Sequence, residues 1–93
     1  MYERVLRQLQ EKIRTNDYIM TLHAEEEMND EDLSIFDVER ILLAGEIVER
    51  QRDAATAESK YRIKGETVSG IEGEVIAKMG PTGKPVIITV YAS

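Results

Sequence analysis

The hydrophobic period of this chain changes at Gly45, and that change limits the folds open to it. Before it, apolar residues recur every three or four positions. After it, they alternate. Val5, Leu6, Leu9 and Ile13 follow helical spacing, which predicts a helix over about residues 2–14, broken by Asn16-Asp17. Thr21 is an expected N-cap for a second helix over about 22–30, with Ala24 and Met28 four apart on one face. Ser34 followed by Asp37 is a capping-box variant that opens a third helix, in which Ile35, Val38, Ile41 and Leu42 share a face. Gly45 is read as its left-handed stop.

Beyond Gly45, Glu46 to Arg50 reads as a strand with Ile47 inward, and 51–59 as a polar loop. Lys60 to Lys64 alternates, with Tyr61 and Ile63 on one side and Lys60, Arg62 and Lys64 on the other. Residues 66–71 extend this strand or turn. Glu74 to Met79 follows, with Val75, Ala77 and Met79 on one face. Gly80-Pro81-Thr82-Gly83 is a turn signal, and Pro85 to Tyr91 reads as a central strand. The expectation is an α+β domain over 1–93. Two to three N-terminal helices, within about 2–44, pack on a C-terminal antiparallel meander of about four strands over 46–91. Leu9, Ile13, Val38, Ile41, Leu42, Ile63, Val75, Ile88 and Val90 are the expected core.

Ninety-three residues allow one modest core and one shallow site. No apolar run reaches membrane-spanning length, and Met1-Tyr2-Glu3-Arg4 lacks a signal-peptide core, so a cytoplasmic location is expected. With no cysteine there is no disulfide or thiolate chemistry. The 12 basic and 18 acidic residues give a net charge of −6. The excess lies entirely before Glu46, centred on Glu25-Glu26-Glu27 and Asp30-Glu31-Asp32. Such a charge repels nucleic-acid backbones and suits a basic protein partner.

His23 is the sole histidine and a candidate general acid or base. Its bland counterpart is a histidine bonded near a helix start. His23, Glu26 and Glu27 share helical spacing, but a solvated acidic face explains them better than a metal site, and no metal is expected. Gly80 to Lys84 lacks the spacing and the following helix of a phosphate loop. No organic cofactor is specified. Lys60, Arg62 and Lys64 form a basic stripe that could touch phosphates, though charged edge strands commonly look like this. Tyr91 is a candidate stacking or catalytic group.

Thr21-Leu22-His23-Ala24 with Met28, the helix closing at Gly45, Glu46-Ile47-Val48, Tyr61 followed by Gly65, and Ile88-Thr89-Val90-Tyr91 together resemble the bacterial family called domain of unknown function 4258. The resemblance spans about 18–91. It implies a small protein with a sheet-plus-helices fold like that of toxin ribonucleases of the RelE and barnase type. Many members read His-Ala-x-x-Arg-Met-x-x-Arg. Aligned on His23, Ala24 and Met28, this chain has Glu27 and Glu31 at the two arginine positions. Arginine suits phosphate, and glutamate repels it.

The reading is therefore a binding or regulatory protein in a toxin–antitoxin-like setting, with weak or no nuclease activity. One alternative is a metal-independent ribonuclease. There His23 would handle protons, Arg62 or Lys64 would hold phosphate, and Tyr91 would orient ribose or phosphate. The other is a homo-oligomer that pairs through the Val86–Tyr91 strand or an edge beside it.

Overall fold

The computed structural model describes residues 1–92. Helix α1 (Glu3–Arg14) leads into a short strand β1 (Ile19–Met20), then helices α2 (Leu22–Asp30) and α3 (Ile35–Ala44). Four strands follow: β2 (Glu46–Arg52), β3 (Ser59–Glu66), β4 (Glu72–Met79) and β5 (Pro85–Ala92). No helix is long and apolar enough to cross a membrane.

Local chemistry sets the helix boundaries. Helix α1 has Glu3 in its first turn and Lys12 and Arg14 in its last, charges that complement the helix dipole. It stops where Asn16 turns to φ 58°, a conformation asparagine tolerates. Thr21 Oγ1 accepts the Ala24 N–H at 3.1 Å and caps α2. At α3 both halves of the expected box form: Asp37 N–H donates to Ser34 Oγ, and Ser34 N–H donates to Asp37 Oδ2 at 2.9 Å. Aspartate thus does the work usually given to glutamate or glutamine. Its other oxygen accepts the Val68 N–H at 3.0 Å, tying the β3–β4 turn to α3. These backbone donors, Ser34 first, hold the Asp37 carboxyl below its ordinary range.

Gly45 ends α3 for a different reason from the one expected. Its φ and ψ are −88° and −171°, extended rather than left-handed. Glycine is needed because a Cβ there would fall within 3.0 Å of the Ile41 and Lys64 carbonyls. Gly65 approaches from the other side, where an added Cβ would lie 3.0 Å from Gly45 Cα. Two glycines let the end of α3 press directly on β3.

The sheet has five strands, not about four, in the order β1-β5-β4-β3-β2. The four C-terminal strands form the expected antiparallel meander, but β1 pairs in parallel with β5 through Ile19↔Val86 and Met20↔Ile87, so the sheet is mixed. Two residues are too few to show a period in sequence. The polar loop is shorter than expected, since β2 runs to Arg52 and β3 starts at Ser59. Residues 67–70 form a turn closed by Gly70 N–H on Thr67 O.

Leu9, Ile13, Ala24, Val38, Ile41, Leu42, Ile63, Val75, Ala77, Ile87 and Val90 make the core, each at most 1% exposed. Ile88 is the exception to the expected set. It is only half-buried, and Ile87 takes its place. The register explains the exchange: Ile76 pairs with Thr89 but Ala77 pairs with Ile87, so Ile88 is the extra residue of a β-bulge. A bulge shifts the alternation by one, so Ile87 and Val90 point to the same face.

Candidate functional site

Strand alternation places Lys60, Arg62 and Lys64 of β3 on the face opposite Ile63, with Glu74 and Lys78 of β4 beside them. Arg62 is the centre of this face. Its Nη1 donates to Glu74 Oε1 at 2.8 Å and its Nε to Glu49 Oε1 at 3.1 Å. Glu74 is 8% exposed, the most buried carboxylate on the sheet. A buried carboxylate needs a partner of this kind, because desolvation disfavours the charged form.

Tyr91 sits opposite Glu74 in the β4–β5 register. The Glu74 carboxylate beside its hydroxyl, with burial adding to the effect, pushes the phenol above its ordinary pKa, and Arg62 pulls the other way. Two of the candidate residues, Arg62 and Tyr91, therefore flank Glu74, one by an ion pair and the other across the β4–β5 register. Two further cations on this face are also paired. Lys64 pairs with Glu72, and Lys78 pairs with Glu58 at 3.0 Å. Lys60 alone of Lys60, Arg62 and Lys64 lacks an ion pair among the described residues. Lys84 lies elsewhere, 3.3 Å from Asp17.

His23 belongs to a different arrangement. It lies in the first turn of α2, its side chain 64% exposed, with Nε2 3.2 Å from Glu27 Oε1. The same Glu27 oxygen accepts the Val90 N–H at 3.1 Å, and Thr21 Oγ1 donates to Ile88 O at 3.4 Å. Past the end of β1, α2 thus seals the exposed edge of β5 with side chains. Among the described residues, no three His, Asp or Glu side chains are grouped to hold a metal ion.

Glu74 and Glu49 were not singled out in the sequence. The signal was there in part: acids at 72 and 74 alternate in step with bases at 60, 62 and 64. Only the hairpin register turns that pattern into pairs.

The chain matches the family described as Domain of unknown function (DUF4258) over residues 20–92. It belongs to that family. The DUF4258 match takes in α2, α3 and β2 to β5, and with them His23, Arg62, Glu74 and Tyr91, while α1 lies outside it. No curated protein and no solved structure matches the chain.

In this DUF4258 protein Glu27 has a positive structural task, acceptance of an N–H at a sheet edge. Glu27→Ala is expected to destabilise the fold by about 1–3 kcal/mol, the cost of leaving a part-buried donor without its acceptor. Glu27→Gln keeps an acceptor oxygen and should recover most of the loss. Urea unfolding of the two variants measures both. Equal losses would show that the Val90 bond contributes nothing.

Proposed function

We propose that this DUF4258 domain is a protein-binding module of a regulatory or toxin–antitoxin-like system, with a toxin-like fold and little or no ribonuclease activity. The observation that supports this is the state of Arg62. This central cation of the stripe, bound to the residue that Tyr91 faces across the sheet, is already held by Glu49 and Glu74. Metal-free phosphodiester cleavage needs cations free to meet charge that develops on phosphate. At ~6 Å and an effective dielectric of ~20, one carboxylate opposes a phosphate charge by about 3 kcal/mol before screening. An uncompensated ~1.4 kcal/mol at the transition state costs tenfold in rate. Meanwhile Glu25, Glu26, Asp30 and Glu31 of and beside α2 have no ion pair among the described residues, which suits a basic partner.

A metal-independent ribonuclease is the second reading. It is favoured by the placement of Arg62 and Tyr91 on either side of buried Glu74. The test is incubation of the purified protein with single-stranded and structured RNA at neutral pH, beside His23→Ala and Arg62→Ala. No cleavage above buffer is expected. Cleavage that both variants abolish would establish the enzyme. Glu31→Arg is the safer charge-reversal probe, because Glu31 is exposed while Glu27 supports the sheet edge.

A further inference from the structure

The two edges of the sheet are finished differently. One is closed three times over, by β1, by Thr21 Oγ1 on Ile88 O, and by the Glu27 carboxylate on Val90 N–H. Strand β5 is therefore flanked on both sides and has no edge to offer another chain. The other edge is β2, seven residues long, exposed at every position but Ile47. It bonds to β3 on one side only. Every second residue of an edge strand directs its N–H and C=O outward, a template for a further strand.

The side chains along β2 select what can add there. Its register with β3 shifts between Ile47 and Glu49, so the regular part of the edge is Glu49–Arg52. Within it Glu49 is occupied by Arg62. Arg50 and Arg52 lie two apart, hence on one face, and neither has an ion pair among the described residues. A second copy fits badly. Two-fold antiparallel pairing that keeps each side chain on its own face sets Arg50 against Arg50 or Arg52, and like charges directly opposite destabilise a sheet. An incoming strand with acids at alternate positions meets both arginines favourably.

We propose that β2 is a docking edge for an extended, acidic segment of a partner protein, which adds along Glu49–Arg52 as a sixth strand. Main-chain hydrogen bonds would give the affinity and the two arginines the choice of partner. The charges that stop β2 from pairing with itself are the ones that select this ligand. The surface is separate from the acidic helix α2, so it goes beyond the binding role proposed above.

The test uses the full chain and a synthetic eight-residue peptide of alternating glutamate and valine. Its control is the same peptide with lysine for glutamate. Amide hydrogen exchange is followed by NMR at millimolar peptide. The glutamate peptide is expected to slow exchange of outward-facing β2 amides by about tenfold or more, and the lysine peptide to leave them unchanged. In Arg50→Glu/Arg52→Glu the preference should reverse; both positions are exposed, and the spectrum of the free variant reports whether the fold is kept. Unchanged β2 exchange with the glutamate peptide, equal effects of the two peptides on β2, or protection by the glutamate peptide confined to another element would each overturn the proposal. The lysine peptide is itself a basic probe, and any protection it gives α2 bears on the acidic helix alone.

Discussion

Ile87→Ala is expected to destabilise the protein by about 2–5 kcal/mol, whereas Ile88→Ala should cost less than half as much. The residues are neighbours with the same side chain, so propensity and unfolded-state effects largely cancel. What differs is position. Ile87 has no exposed surface and packs with Val75, Ala77 and Val90, while Ile88 is the extra residue of the bulge and only half-buried. Truncating a buried isoleucine loses the transfer free energy of its methyl and methylene groups and leaves a cavity. At Ile88 solvent fills the gap, and the cavity penalty falls away. Urea unfolding curves with matched slopes would give both values. A reversed order would place Ile88 inside and restore strict alternation along β5.

That pair also marks where sequence reasoning stops. Alternation through Val86-Ile87-Ile88-Thr89-Val90 assigns Ile88 and Val90 to one face, because a period of two has no term for an inserted residue. Four of these five residues are apolar, and the one polar residue, Thr89, faces outward under strict alternation too, so it does not reveal the slip. The helix starts were legible for the opposite reason. A cap needs a particular side chain at a particular offset, and Thr21 and the Ser34/Asp37 pair supply it within four residues. Strand β1 was invisible because its two residues owe their conformation to β5, a partner 67 positions away in the Ile19↔Val86 pairing. The candidate site divides along the same line. Arg62 and Tyr91 were identifiable as chemistry-bearing residues on alternating strands. Glu74 between them, and the edge contact of Glu27, depend on register and on where α2 lands, which are tertiary facts.

Gly45 supplies the second large effect. Gly45→Ala is expected to cost about 3 kcal/mol or more, the upper part of the range for forcing atoms into filled space. Its backbone angles are ones alanine adopts freely, so the loss would come from space alone. The atoms a Cβ would strike are main-chain carbonyls of Ile41 and Lys64, which cannot swing aside as a side-chain tip could. Gly83 is the informative contrast. It has φ 84° with nothing within 4 Å of an added Cβ, so Gly83→Ala meets conformational strain without a clash and should cost about 1–2 kcal/mol. Thermal or urea unfolding of the two variants separates the causes. A cost at Gly45 no larger than at Gly83 would mean that α3 can lift from β3. A large one would fix α3 against the strand that carries Arg62. The charged face of the sheet would then rest on a contact between two glycines, Gly45 and Gly65, where no side chain can be inserted without moving the main chain.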